Sequence, residues 1–259
     1  DELLRRIAST DEFRNSLLYF MLYDPAAAPA SDPRSQIALE HFAPGLNRLL
    51  VRTSWDEQAS WFNYSLSWSL IDHQQANGNQ FEWYRKGEWL TKQRTGYADI
   101  AEGIGSSEFS NTLAIENDKP NRDDSDWRVD LWRRGAQWNL VAAGDPQLLA
   151  RSSSATFSYA SGDATPLYNS SSENLNDVHH ASRSIFWLKP DAVVVYDRAQ
   201  TNTANRFKRW WLQSASPASV AGNSAAITTA GGQRLQLNSL LPVGASLAAV
   251  NVNEAHVED

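Results

Sequence analysis

The sequence predicts a mostly β protein, an antiparallel two-sheet β-sandwich preceded by a short helical segment. Three observations predict it. Apolar and polar residues alternate along several short stretches, the pattern of half-buried strands. Turn-forming residues separate those stretches. After Glu40 no helical pattern of ten or more residues occurs, and many short strands without helices pack as a sandwich or barrel. Residues 45–259 are too many for an immunoglobulin-type domain of about 100 residues, so two long stacked sheets are expected.

The elements follow in order. Residues 1–23 read as helix: Ser9 and Glu12 have capping-box spacing, and Phe13, Leu17, Phe20 and Met21 fall on one face. Pro25, Pro29 and Pro33 then stop the helix and stiffen a linker. The chain therefore divides into a helix and Pro-rich linker, 1–44, and a sandwich domain, 45–259. Phe62, Tyr64, Leu66, Trp68 and Leu70 alternate with Asn63, Ser65, Ser67 and Ser69, a half-buried strand. Lys86-Gly87 turns a hairpin over 80–92. Short strands are expected at 110–116, 138–142 and 157–160. A second hairpin spans 184–190 and 192–197, and strands at 207–213, 225–229 and 234–238 complete the set.

Composition excludes several classes of function. The 259 residues include no Cys, so there is no disulfide scaffold, thiolate metal site or Cys nucleophile. Acidic residues outnumber basic ones 30 to 23 for a net charge of −7, which argues against nucleic acid as a partner. No run of 18 apolar residues exists to cross a membrane as a helix. The chain opens on Asp1 without a signal peptide and is expected to be a piece of a longer protein.

The segment richest in chemistry runs from Ile71 to Leu90. A strand ends at Asp72-His73, a polar loop with Asn77-Gly78 follows, and a second strand returns. His73 thus stands at a strand end beside a loop, where side chains reach ligands. By spacing alone, a lone His is more often a surface or hydrogen-bonded residue than a catalytic one.

The same segment resembles the central motif of the heparinase II/III-like polysaccharide lyases, a family that includes heparinase II and the oligoalginate lyases. The motif reads Asp-His-x-His, a loop with Gly, then Phe-x-x-Tyr-x-x-Gly-Glu-Trp-Leu. Here Asp72-His73-Gln74-Gln75, Gly78, Phe81, Tyr84 and Gly87-Glu88-Trp89-Leu90 stand in those places. Arg52-Thr-Ser-Trp55, Ser110-Asn-Thr-Leu113, Arg183 to Asp197 and Leu240-Leu-Pro-Val-Gly244 resemble further strands of the family, in the same order.

The resemblance implies an α/α toroid followed by a sandwich, with the substrate cleft between them. Residues 1–23 would be the last toroid helix, and the toroid upstream in the full-length protein would be a partner of this chain. It implies β-elimination on a uronic-acid polysaccharide, an anionic polymer or oligosaccharide, outside the cytoplasm in the periplasm or beyond. His73 matches the cleft His, with an implied role in neutralising the uronate or moving the proton. The family's zinc ligands fall at Gln75, Gln93 and Ser110 here. Amide and hydroxyl groups are poor zinc ligands, so no cofactor is expected, and amides of Gln74, Gln75, Asn77, Asn79 and Gln80 are expected to hold the loop instead. With the toroid absent, this chain alone is expected to be inactive.

Gln75, Gln80, Arg85, Lys92, Arg94 and Trp89 are the candidate substrate-binding residues. The cations suit a polyanion and equally suit solvated strand edges. Indoles stack on the apolar faces of sugars; Trp61 and Trp89 are the better placed for this, whereas Trp68, Trp83, Trp187 and Trp211 fit the core. A second reading is a non-catalytic carbohydrate-binding or structural module with a degenerate site.

Overall fold

The computed structural model describes residues 21, 24, 26–28, 31–66, 75–94, 105–137 and 145–250. The chain divides into two units, Asp1–Ile37 and Ala38–Asp259. In the first, a 3-10 turn covers Pro33–Gln36, and the Asp32 carboxylate accepts the Arg34 amide at 2.9 Å to cap it. The helix expected over 1–23 lies almost wholly outside the described residues.

The second unit is mostly β and antiparallel. Five strands lie in chain order in one sheet: β1 (Glu40–Ala43), β2 (Arg48–Arg52), β3 (Ser60–Ser65), β4 (Gln80–Arg85) and β5 (Glu88–Thr91). β6 (Leu113–Ile115) pairs with β11 (Lys208–Trp210). Four longer strands form a sheet ordered β10-β9-β8-β7: β7 (Gln147–Ser153), β8 (Phe157–Asp163), β9 (Val178–Leu188) and β10 (Ala192–Thr201). A meander of β12 (Ala218–Ala221), β13 (Ser224–Thr228) and β14 (Arg234–Asn238) ends the series.

Alternation places the core where the sequence expects it. Phe62 and Tyr64 on β3 and Phe81 and Trp83 on β4 are buried, as are Ile185 and Trp187 on β9. Phe62 stacks on Trp187 with ring centroids 5.7 Å apart, so side chains of the two large sheets meet in one core, as in a sandwich. Leu66 is buried with them; Trp68, Leu70 and the strand expected at 138–142 lie outside the described residues. Both expected hairpins form, β4–β5 and β9–β10.

Three elements carry no signal that alternation can detect. β1 is four residues long and starts ahead of residue 45. β7 is a sheet edge exposed along almost its whole length, so no buried face patterns its sequence. The helix α1 (Trp127–Arg134) has eight residues, too few for a periodic stripe. Its ends are capped: the Asp126 carboxylate accepts the Arg128 amide at 2.9 Å, and Gly135 takes a left-handed φ of 71° after the last turn. A second short helix, α2 (Thr165–Tyr168), packs on β9. No helix among the described residues is long and apolar enough to cross a membrane.

Candidate functional site

The segment 75–80 leads into β4 and is held on several sides. The Gly78 amide donates to Gln137 Oε1 at 2.7 Å, and Gln137 Nε2 donates back to the Gly78 carbonyl at 2.9 Å. Thr112 Oγ1 donates to that carbonyl at 2.6 Å. A Cβ at position 78 would lie 2.2 Å from Leu167 Cδ1, so only glycine fits between these partners. Asn79 sits in the left-handed region at φ 62°, which Asn tolerates. Its Oδ1 accepts the Tyr64 hydroxyl at 2.6 Å and its Nδ2 donates to the Gly162 carbonyl at 3.1 Å. Burial holds the Tyr64 hydroxyl far above the ordinary phenol range, so it remains a donor.

Arg183 closes this frame from β9. Its guanidinium donates to the Asn79 and Asn111 carbonyls at 2.6 Å each, and to both Asp197 oxygens at 2.7 and 2.8 Å. Sequence reading missed Arg183, Asp197, Gln137 and Thr112 as supports of the loop. A charged residue inside the apolar strand Arg183-Ser-Ile-Phe-Trp187, opposite another that ends Val-Val-Val-Tyr-Asp197, was the available signal.

A polar cluster lies beside the loop. Gln75 Nε2 donates to the Arg94 carbonyl at 3.4 Å, and Asn77 Nδ2 donates to Gln93 Oε1 at 2.9 Å. The Glu82 carboxylate accepts the Gln93 amide at 3.3 Å and Asn63 Nδ2 at 2.9 Å. The Arg94 amide bonds the Phe109 carbonyl at 3.0 Å, which brings Ser110 alongside. The structure thus gathers Gln75, Gln93, Arg94 and Ser110 from three separate segments. Ser110 Oγ is buried and has no hydrogen-bond partner among the described residues. Glu108, two residues earlier, has its carboxyl pushed up by burial against the opposing pull of Arg134, 2.9 Å away. No three His, Asp or Glu side chains converge on a common point among the described residues.

Of the amides expected to hold the loop, Asn79 bonds Tyr64 and Gly162 from its left-handed backbone, whereas the Gln80 side-chain oxygen is buried with no partner among the described residues.

Trp89 is half-buried and joins Trp61 and Tyr84 in a cluster, with ring centroids 4.9 to 5.3 Å apart. Trp61 and Tyr84 are register partners on the sheet face opposite the core. Lys92 Nζ lies 5.8 Å from the Trp89 ring. Tyr84 completes this platform and was missed, although period-2 alternation with Phe81 and Trp83 on the core face puts it there. Arg85 lies elsewhere. At the far end of β4 it pairs with Asp191 at 2.6 Å and donates to Gln233 at 2.5 Å, so its charge is engaged within the fold. His73, with Asp72 and Gln74, lies outside the described residues.

No protein-family model matches the chain, and neither does any curated protein. Solved structures do. Heparan sulfate lyase HepC from Pedobacter heparinus superposes with a TM-score of 0.57 at 15% identity, covering 93% of this chain and 34% of that one. A heparinase III gene product gives 0.56 at 13% identity, covering 77% of this chain and 28% of that one. The chain shares its fold with heparan sulfate lyases. It spans about a third of their length, and at this identity the likeness concerns the fold.

Proposed function

We propose that the chain is the C-terminal β-sandwich of a polysaccharide lyase that cleaves uronic-acid polymers by β-elimination, related to the heparinase II and oligoalginate lyase group. The carrying observation is the fixed loop. Segment 75–80, which follows the Asp72-His73 motif in sequence, is locked by Gln137, Thr112 and Arg183. A flexible surface loop needs no such frame. The likeness in fold to heparan sulfate lyases supports the same reading.

Elimination requires the uronate charge to be offset, the C5 proton removed and the leaving oxygen protonated. In this reading His73 supplies the first or second of these from the sandwich side. Trp89 and Trp61 stack on a sugar ring, and Lys92 and Arg94 attract the polymer's acids, with Gln75 beside them; Gln80 is buried, and we assign it to the framework. Arg85 is bound to Asp191, and we assign it to the framework. An upstream toroid completes the cleft, the link to it comprises the residues before the first strand, and the protein works in the periplasm or outside the cell.

Gln75, Gln93 and Ser110 do not fit zinc. Gln93 Oε1 is taken by Asn77, Gln75 donates to a carbonyl, and the set has neither imidazole nor carboxylate. We propose that hydrogen bonds replace the metal, so that no step passes through one. Metal analysis of purified protein should find no stoichiometric zinc.

The deciding experiment screens the full-length protein on alginate, heparan sulfate and hyaluronan for the absorbance of the unsaturated product. Turnover by the full protein and none by residues 1–259 is the expected result. A full-length protein that binds these polymers without cleaving them would make the chain a non-catalytic binding module. The unpartnered Ser110 Oγ, in place of a ligating side chain, is the observation favouring that second reading.

A further inference from the structure

The outer face of the β7–β10 sheet carries an apolar platform that the core does not use. Tyr159 on β8 and Phe186 on β9 are register partners whose rings stack at 4.3 Å and 29°. Val194 lies opposite Phe186, Leu188 follows on β9, and Tyr196 follows on β10. Phe186 is 39% exposed, Leu188 46%, and Val194 and Tyr196 50% each. Next along the strands the chemistry changes. Ser184 and Ser161 share a hydrogen bond at 3.0 Å, Ser184 is paired with Tyr196, and Arg198 follows, exposed and without an ion pair among the described residues.

We propose that this face binds an acidic oligosaccharide, as a second glycan surface separate from the loop at 75–80. The size of the patch argues for a small ligand. Five apolar side chains compose it, far fewer than the about 20–30 residues a side of a stable protein interface. Its chemistry argues for a sugar. Aromatic rings offer the flat apolar surface that the C–H face of a pyranose covers. The half-buried Ser184 hydroxyl, backed by the buried Ser161, and the exposed Tyr196 hydroxyl meet ring hydroxyls, which both donate and accept. Arg198, the next residue on this face after Tyr196, meets a carboxylate or sulfate with two parallel hydrogen bonds. A surface made for a second protein copy would continue its apolar area past the hydroxyl row; here it stops there.

The inference takes only its ligand class from the proposed lyase function. Alginate and heparan sulfate hexasaccharides are titrated calorimetrically against the full-length protein and its Phe186→Ala, Tyr196→Ala, Arg198→Ala and His73→Ala forms. The expected result is a more than tenfold loss of affinity at one class of site in the first three, with that class intact in His73→Ala. Unfolding midpoints of the variants, compared with the parent, separate lost binding from lost folding. Three results would overturn it: unchanged binding in all platform variants; a dimer that Tyr196→Asp dissociates, showing a second copy on the face; or binding by residues 1–259 that the full-length protein lacks, showing an upstream domain there. Lyase turnover without platform binding would sink this inference and leave the lyase reading standing. Platform binding without turnover would do the reverse.

Discussion

Replacing Arg183 with Met removes a guanidinium that is 1% exposed and serves four acceptor oxygens. Breaking one partner out of a buried ion pair costs about 3–5 kcal/mol, because the remaining charge keeps its desolvation penalty. The Asn79 and Asn111 carbonyls also lose a donor, at about 1 kcal/mol each. Packing of the Met side chain against Phe81 recovers part of this, so a net loss of roughly 5 kcal/mol is expected. With an m-value of about 2–3 kcal/mol/M in urea, the midpoint should fall by about 2 M. Urea titration by tryptophan fluorescence at pH 7 measures it. The double variant Arg183→Met/Asp197→Leu should be more stable than Arg183→Met alone, since no orphaned carboxylate remains. A loss below about 1.5 kcal/mol in the single variant, or a double variant less stable than the single, would refute the account of Arg183 as the charge-paired support of the loop.

Other outcomes follow from the same geometry. Gly78→Ala should cost about 2 kcal/mol, the usual price of forcing a methyl group into a packed site, and lower Tm by roughly 4–8 °C in a calorimetric scan; an unchanged Tm would mean that Leu167 moves aside freely. Asp177 is pushed up by burial, but the Thr203 hydroxyl and amide and Arg206 outweigh this and hold it below the ordinary range; the Arg122 contact does the same for Glu173. Both therefore stabilise the fold fully above the unfolded carboxylate value of about 4 and lose that contribution as pH falls through their lowered values. Thermal melts from pH 7 to 3 should show a steep acid-side decline that is shallower in Arg206→Met; equal slopes would contradict the assignment. In the full-length protein His73→Ala should lower kcat/KM by roughly 10² or more and change the unfolding free energy by less than about 1 kcal/mol; undiminished turnover would make His73 a structural loop residue. Trp89→Ala should raise KM more than it lowers kcat if the Trp61–Tyr84–Trp89 platform binds sugar, and equal activity on all substrates would remove that role.

The fold class, the two hairpins and the core faces of β3, β4 and β9 were legible in the sequence. Period-2 alternation is a local signal, and a strand with one buried face must carry it. β7 escaped because an exposed edge has no buried face, and α1 escaped because eight residues make barely two turns. The site divides in the same way. The motif at 72–90, the Gly78 turn and the likeness to the lyases could be read along the chain. That Gln137 grips Gly78 across 59 positions and that Asp191 takes Arg85 across 106 positions could not. Side-chain type constrains what a residue can bond, and spacing constrains its face. Which distant donor meets which acceptor is set by how two sheets pack and by which buried polar groups must then be satisfied; only the tertiary structure decides that.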